Sequence, residues 1–197
     1  MTALCAALQG MDLPFVRTRE PGGSVLGGAL RALLLDVESR VLPKTELFLY
    51  LADRAQHVEE VIRPALAAGR IVVSDRYADS TVVYQGYGRG LDVERLLALN
   101  EDAVDGLWPD VTLLYDLPPE IGLARARSRN EATGLARAEG RFEAEAMAFH
   151  RRIRQGYLEW AARFPERYQI VNADAPADEV ARQSVELVMN HLSSHLS

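Results

Sequence analysis

Lysine and cysteine are almost absent from this sequence of 197 residues. It contains 22 basic residues, of which 21 are arginine, so Lys44 is the single lysine. Any reaction that needs a catalytic lysine, and any phosphate held by a lysine in a glycine-rich loop, therefore has one candidate. The single cysteine, Cys5, excludes an intramolecular disulfide and a zinc site made of several cysteines. A lone cysteine fits a reducing compartment.

A positive net charge and long apolar runs are also absent. The formal net charge is -6, which argues against nucleic-acid binding by bulk electrostatics. No apolar run approaches the roughly 20 residues that a bilayer-spanning helix needs, and residues 2–8 lack the basic flank of a signal peptide. With 48% apolar and 25% charged residues, the chain is typical of one globular domain. We therefore expect a single cytoplasmic domain, residues 1–197, without a nucleic-acid or membrane partner.

Helical and strand patterns alternate along the chain. Apolar residues recur every three or four positions in the helical stretches, and short apolar runs indicate buried strands. This alternation predicts an α/β fold, a parallel sheet with helices on both faces. In such folds ligands bind beyond the carboxyl ends of the strands. The predicted helices span 2–8, 25–35, 43–69, 92–104, 118–126, 142–160 and 178–192, and the predicted strands span 13–18, 71–73, 111–117 and 168–171.

An acidic and a basic residue follow the second predicted strand. The Asp75 carboxylate, at a strand's carboxyl end, suits a magnesium ion or its waters, because hard cations prefer oxygen ligands. The planar guanidinium of Arg76 suits a phosphate, which it can bind through two parallel hydrogen bonds. A buried salt bridge is the alternative interpretation, and the dipeptide alone leaves both open.

Two further segments carry candidate binding residues. Tyr50, Arg54 and His57 form one row on the long predicted helix, where an aromatic ring beside a guanidinium could stack a base and hold its phosphate. The alternative is a solvated helix face. In the segment 79–90, Thr81, Tyr84 and Gln85 fall on one side of a helical turn, and Thr and Gln offer a donor and an acceptor to a base edge. This segment could also be a plain flexible loop.

A cluster of arginines brackets a region that we predict to be a mobile lid, at about 128–141. Arginines on a closing lid can neutralise charge on a transferring phosphoryl group. The glycines Gly134 and Gly140 favour hinges there. The alternative is a solvated basic helix end. The cluster consists of arginines at 125, 127, 129, 137 and 141.

The order and spacing of these segments resemble the bacterial thymidylate kinase family over essentially the whole chain. The resemblance implies a P-loop nucleoside monophosphate kinase-like fold and transfer of the γ-phosphoryl group of ATP to dTMP, with magnesium. It also implies a homodimer formed through long helices. The motifs that carry the resemblance are 18–23 (TREPGG), 51–54 (LADR), 74–77 (SDRY), 79–86 (DSTVVYQG), 88–90 (GRG), 109–110 (PD) and 115–117 (YDL).

The resemblance also assigns roles to residues at the substrate. Arg54 and Arg76 would hold the dTMP phosphate. Tyr50 would occupy the aromatic position against thymine, Thr81 and Gln85 would read the base edge, and Tyr84 would lie against the sugar. The implied dTMP-binding residues are Tyr50, Arg54, Arg76, Ser80, Thr81, Tyr84 and Gln85.

On the side of the phosphoryl donor, the resemblance implies three further residues. Asp75 would lie near the metal, and Arg137 and Arg141 would belong to a lid over the ATP phosphates. Together with Arg76 these residues would form the catalytic group. Gly140 stands before Arg141 where many relatives have an acidic residue, which is a small departure from the family pattern.

The large departure is the P-loop, G-x-x-x-x-G-K-[ST], because no Gly-Lys pair occurs in the sequence. The segment 22–27 has the glycine spacing, but Gly28 and Ala29 follow it instead of Lys and Ser. We therefore expect this chain to lack the first strand and P-loop of the family and to be inactive by itself. Either the native protein starts upstream of residue 1, which we favour because the other motifs are intact, or the chain is a non-catalytic dTMP-binding relative. Another nucleoside monophosphate kinase remains a third alternative.

Overall fold

The computed structural model of the protein describes residues 1–195. The strands are β1 (Phe15–Arg19), β2 (Ile71–Asp75), β3 (Thr112–Asp116) and β4 (Tyr168–Asn172). The helices are α1 (Thr2–Gly10), α2 (Val25–Leu35), α3 (Pro43–His57), α4 (Arg63–Ala67), α5 (Ala78–Thr81), α6 (Val93–Val104), α7 (Pro119–Ala132), α8 (Ala136–Glu139), α9 (Met147–Arg163) and α10 (Ala177–His195). A π-helical segment, Val58–Ile62, joins α3 to α4, and a second one, Val82–Gly88, follows α5.

The strands form two parallel pairs rather than the single sheet expected from the alternation. β1 pairs with β2 from Phe15 opposite Ile71 to Arg19 opposite Asp75. β3 pairs with β4 in the same direction. Within residues 1–195 no strand hydrogen-bonds across the two pairs. The alternation predicted strand direction correctly, but it does not specify which strands are neighbours.

Helices pack on both faces of the strands, as predicted. Leu113 of β3 contacts the cluster around Leu4, Leu8 and Val188 of α1 and α10. The next residue, Leu114, contacts the opposite cluster, which includes Trp160 of α9. Successive side chains of a strand point to opposite faces, so the two leucines place helices above and below β3. Both leucines are partly buried, and the apolar surface that each removes from water stabilises the fold.

The second strand pair joins the same core. Val73 of β2 contacts the cluster formed by α1 and α10. Its neighbour Val72 contacts a third cluster, around Val58 and Val104, on the other face. The α1–α10 layer therefore packs against strands of both pairs.

The observed helices differ from the expectation in several places. The helix predicted over 142–160 begins only at Met147 and ends at Arg163. The helix predicted over 43–69 begins at Pro43, a favoured first position, but passes through the π-helical segment before it ends at Ala67. The segment 79–90, for which a flexible loop was an alternative, is helical over Ala78–Gly88. The helix predicted over 118–126 continues to Ala132. The end of α7 was missed because its last residues are mostly polar, and helical periodicity is visible only where apolar residues recur.

None of the helices formed by residues 1–195 combines the length and apolar character needed to cross a bilayer.

A buried carboxylate joins the start of α5 to α9 and to Arg167, the residue before β4. Asp79 is 5% exposed and accepts hydrogen bonds from the Trp160 indole at 2.7 Å and from both terminal nitrogens of Arg167 at 2.6 and 2.8 Å. Breaking such a pair on one side leaves a buried charge without compensation. Asp79 is therefore a structural residue beside the segment that carries Ser80 and Thr81.

We expect Asp79→Asn to lower the free energy of unfolding by about 3 kcal/mol, because it leaves the Arg167 guanidinium without its counter-charge. Urea unfolding followed by circular dichroism measures this loss. The matched control is Glu94→Gln, which removes a carboxylate that pairs with Arg163 at the surface. That pair should contribute less than about 1 kcal/mol. Equal losses in the two variants would contradict the structural role of Asp79.

Candidate functional site

A cavity of about 480 Å³ lies at the carboxyl ends of β1 and β2. This is the position at which parallel α/β folds bind ligands. Its wall contains residues of β2, α3 and the helical segment after β2, together with part of the region predicted as a lid. Eight of the ten predicted site residues line it: Tyr50, Arg54, Asp75, Arg76, Ser80, Thr81, Tyr84 and Gln85.

Arg76 presents its guanidinium to the cavity from an unusual backbone conformation. Its φ angle of +69° lies in the left-handed region, which is uncommon for a residue with a side chain and costs on the order of 1 kcal/mol. The Ser74 hydroxyl donates to the Arg76 carbonyl at 2.7 Å. The guanidinium lies 5.0 Å from the centre of the Tyr84 ring, a cation–π distance. Strained residues of this kind occur frequently at ligand sites.

Asp75 lies beside Arg76 at the end of β2 and is exposed at the cavity. No ion pair joins Asp75 to Arg76 among residues 1–195, so the buried salt bridge that the sequence left open does not form. The described residues contain no group of three or more His, Cys, Asp or Glu that could hold a metal ion by themselves. Any cation at Asp75 would need most of its ligands from water or from a bound phosphate.

Arg54 is almost completely buried in the wall of the cavity. Its guanidinium is 1% exposed and pairs with Glu20 at 2.8 Å. It also donates to the Thr81 hydroxyl at 2.9 Å and to the Asn100 side-chain oxygen at 2.6 Å. The alternative of a solvated helix face is therefore wrong for this row. Its predicted role at a phosphate stays a prediction.

His57 extends the same network behind the cavity wall. Its Nδ1 lies 2.9 Å from Glu20, and its Nε2 lies 2.6 Å from the Thr18 hydroxyl. The sequence analysis did not single out Glu20, although it lies in the segment directly after β1 where ligand-site residues were expected. Helical spacing on α3 was enough to select Arg54. No local pattern shows that the carboxylate paired with Arg54 comes from Glu20, which is 34 residues away.

Two tyrosines provide the aromatic part of the wall. Burial raises the pKa of Tyr50, so its ring is neutral and suits stacking on a base. Tyr84 contacts Phe142 edge-to-face, with ring centres 5.1 Å apart. Tyr157 donates to Ser80 at 3.0 Å, and burial raises the pKa of Tyr157 to about 12. Phe142 also lines the cavity and was not predicted as a site residue.

Gln85 lines the cavity with no exposed surface. Its side-chain nitrogen donates to the Glu46 carboxylate at 2.7 Å. Its side-chain oxygen is buried and has no hydrogen-bond partner in the described residues. A buried polar atom without a partner costs about 1–3 kcal/mol, so this oxygen is an unsatisfied acceptor on a residue of the cavity wall.

The two predicted lid arginines do not line this cavity. Arg141 pairs with the buried Glu46 at 2.6 Å and donates to the Leu34 carbonyl. Arg137 is exposed, and its carbonyl accepts from the Val37 backbone at 3.0 Å. Their role at ATP phosphates stays a prediction, as does the mobility of the segment that carries them.

The segment 128–141 nevertheless covers one side of the cavity. It consists of the end of α7, a turn and the short α8. Arg129, Asn130 and Glu139 line the cavity, and Glu139 pairs with Arg31 of α2 at 2.9 Å. This ion pair lowers the pKa of Glu139. Its role as a lid stays a prediction.

The glycine turn after β1 uses its amides inside the protein. The Gly22 amide donates to Asp53 at 3.1 Å, and the Gly27 amide donates to the Ser24 hydroxyl. Burial raises the pKa of Asp53. The amides of Gly22 and Gly27 therefore already have protein acceptors and are not free to bind a phosphate. The sequence also lacks the lysine that follows the glycines of a P-loop.

The comparison with known proteins identifies the family. The family model described as thymidylate kinase matches residues 1–184. The chain belongs to the thymidylate kinase family. It is 61% identical over 178 residues to the thymidylate kinase of Nitratidesulfovibrio vulgaris (strain DSM 19637 / Miyazaki F), which covers 90% of this chain and 83% of that protein. It is 65% identical over 167 residues to that of Oleidesulfovibrio alaskensis, which covers 84% and 79% of the two chains.

The glycine turn of this thymidylate kinase chain gives a test of the packing beside the site. At Gly23 an added Cβ would overlap His57 and lie 2.6 Å from the Arg19 carbonyl oxygen. We expect Gly23→Ala to lower the free energy of unfolding by about 2 kcal/mol, as overpacking does. The matched control is Gly28→Ala in α2, where nothing lies within 4 Å. It should be neutral or stabilise by up to about 1 kcal/mol. Denaturant unfolding compares the two, and an unchanged Gly23 variant would contradict the close packing.

Proposed function

We propose that the cavity is the dTMP site of a phosphotransferase that converts dTMP to dTDP with ATP and magnesium. The single observation that supports it most strongly is the juxtaposition of two groups in one cavity. The Arg76 guanidinium, which lies against the Tyr84 ring at the cavity, provides an anion site, while the buried amide oxygen of Gln85 provides an unpaired acceptor. A nucleoside monophosphate has a phosphate for the first and a base edge for the second. The thymidylate kinase relatives support the choice of nucleotide.

The phosphate end of the proposed site consists of Arg76 and Arg54. No carboxylate of the part of the chain that the structure describes forms an ion pair with Arg76, so its guanidinium can offer two parallel N–H groups to a phosphate. Arg54 is already paired with Glu20. To bind the phosphate as well, its guanidinium would have to divide its N–H donors between Glu20 and the phosphate. Arg76 therefore supplies most of the charge compensation in our proposal.

The nucleoside end consists of the aromatic and polar wall. In the proposal the neutral Tyr50 ring lies against thymine, and Thr81 and Gln85 face its edge. Tyr84 and Ser80 lie against the sugar. The contact of Thr81 with Arg54 supports this arrangement, because a hydroxyl that accepts from a guanidinium has its own hydrogen free to donate.

The residues present fit a magnesium ion through one carboxylate. Asp75 is exposed at the cavity beside Arg76, and Mg²⁺ usually combines one or two carboxylates with water and substrate phosphates. When bound, the ion would neutralise charge on the phosphates. Asp75 would orient it or its waters, and Arg76 would hold the acceptor phosphate in place.

The residues present fit the phosphates of ATP less well. The sequence contains no Gly-Lys pair, and the glycine turn after β1 uses its amides internally. We propose Arg137 and Arg141 as the lid residues over those phosphates. We also propose that the first strand and P-loop of the family are not formed by these 197 residues. The two separate strand pairs support that proposal.

Two alternatives have different support. A non-catalytic dTMP-binding protein is favoured by the lack of a Gly-Lys pair combined with a fully formed substrate cavity. Another nucleoside monophosphate kinase would use the same phosphate end with a different base, and Gln85 is the residue that distinguishes it.

The homodimer that the resemblance implies is supported by apolar side chains exposed on α2 and α3, among them Val25, Leu33 and Phe48.

We expect dTMP to raise the melting temperature of the chain and Arg76→Ala to abolish that rise, because the main phosphate ligand is lost. Differential scanning fluorimetry with dTMP and with thymidine measures both contributions. Thymidine lacks the phosphate, so any weak thymidine shift should survive the substitution. Arg125→Ala, which removes an exposed guanidinium outside the cavity, is the matched control and should leave the dTMP shift unchanged. A normal dTMP shift in the Arg76 variant would contradict the phosphate role.

We also expect the 197-residue chain to show no phosphoryl transfer from ATP to dTMP, since the lysine and the amide cradle for the ATP phosphates are missing. A coupled ADP-release assay with magnesium tests this. The control is dTMP binding by the same preparation, which shows that the cavity is folded. Robust turnover would overturn our view of the ATP side while leaving the dTMP site intact.

A further inference from the structure

A buried carboxylate stands directly behind the base-facing amide. Glu46 lies in the first turn of α3 and has no exposed surface. It accepts from three donors: the Gln85 amide at 2.7 Å, Arg141 at 2.6 Å and Arg89 at 3.3 Å. Nothing in the proposed reaction uses Glu46, and the sequence analysis did not select it.

The chemistry of a carboxylate determines which way the Gln85 amide faces. A carboxylate only accepts hydrogen bonds, whereas an amide has a donating nitrogen and an accepting oxygen. The nitrogen of Gln85 must therefore face Glu46. Its oxygen is then turned away, and this is the buried atom without a partner.

The two arginines stabilise this arrangement. Arg141 donates to Oε2 of Glu46, whereas Arg89 shares Oε1 with the Gln85 amide and also reaches Oε2, so two positive charges face the carboxylate. Arg89 is held in turn by Glu145 at 2.6 Å and by the Phe149 ring, with 4.8 Å between the guanidinium and the ring centre. Removing one partner from a buried charged network is strongly unfavourable. The Glu46 carboxylate therefore stays charged and keeps its hydrogen bond to the Gln85 amide.

We propose that Glu46 is a positioning residue that sets the hydrogen-bond polarity of Gln85, so that the cavity selects a base with a ring N–H donor at its edge. This inference rests on the proposed function. The imide N–H of thymine donates to the free amide oxygen, whereas the equivalent ring nitrogen of cytosine is an acceptor and meets another acceptor. Glu46 thus acts on specificity without touching the substrate.

Two ligands test the proposed preference for a ring N–H donor. dTMP and 5-methyl-dCMP share the sugar, the phosphate and the methyl group and differ at ring position 3 and at the substituent on position 4. Calorimetric titration of the 197-residue chain with each ligand gives the ratio of their dissociation constants. The native chain should prefer dTMP at least about tenfold, since a mispaired buried hydrogen bond costs on the order of that factor.

The decisive variant is Glu46→Gln. Its amide can donate or accept, so Gln85 is free to turn, and the preference for dTMP should fall at least about tenfold towards equality. If Glu46 had only a structural role, the substitution would weaken the binding of both ligands and leave the ratio of their dissociation constants unchanged. Glu46→Asp keeps an acceptor-only group and should retain the ratio even where both affinities fall. The matched control is Glu145→Gln, which also removes a partner of Arg89 but does not contact Gln85, and its ratio should equal that of the native chain.

A second variant covers a failure of Glu46→Gln to fold. Glu46→Gln combined with Arg89→Gln removes one charge of each sign and carries the same expected loss of preference. An unchanged ratio in the folded single or double variant overturns the inference while dTMP binding upholds the proposed function. A native chain that binds dTMP without preference also overturns the inference alone. A native chain that binds neither ligand overturns both.

Discussion

The arrangement of the cavity depends on the buried ion pair between Glu20 and Arg54. Glu20 directly follows β1, whereas Arg54 lies in α3, and both side chains are at most 2% exposed. Because Arg54 also donates to Thr81 and Asn100, one guanidinium joins the end of β1 to α3, α5 and α6. Removal of either charge would leave the other buried alone, at a cost of about 3–5 kcal/mol. The cavity walls therefore keep their spacing only while both charges are present.

Arginine suits this interior better than lysine because its planar group has five donors in fixed directions and can join several acceptors at once. Arg54 contacts three side chains in this way, and Arg141 joins Glu46 to the Leu34 carbonyl. Arg76 differs from both, since it has no ion pair among residues 1–195. Its left-handed backbone leaves the guanidinium at the cavity beside Tyr84. The same residue type thus builds the wall and supplies the anion site.

Local patterns predicted much of the fold and most of the cavity wall. The strand direction, the helices on both faces and the row of Tyr50 and Arg54 on α3 follow from side-chain periodicity, which is a property of neighbouring residues. The acidic partners could not be found in this way. Glu20 lies 34 residues from Arg54, and Glu46 lies 39 residues from Gln85, so no local spacing connects them.

The sequence by itself determined which chemical groups this thymidylate kinase chain has: many arginines, one lysine and no Gly-Lys pair. It also determined where helices and strands occur, because backbone preferences and apolar spacing act over a few residues. Only the tertiary structure decided that the strands form two separate pairs, that Arg54 is buried against Glu20 and that Arg141 lies against Glu46 outside the cavity. Burial and ion pairing arise from packing between distant segments, so the chain must fold before its charges acquire their partners.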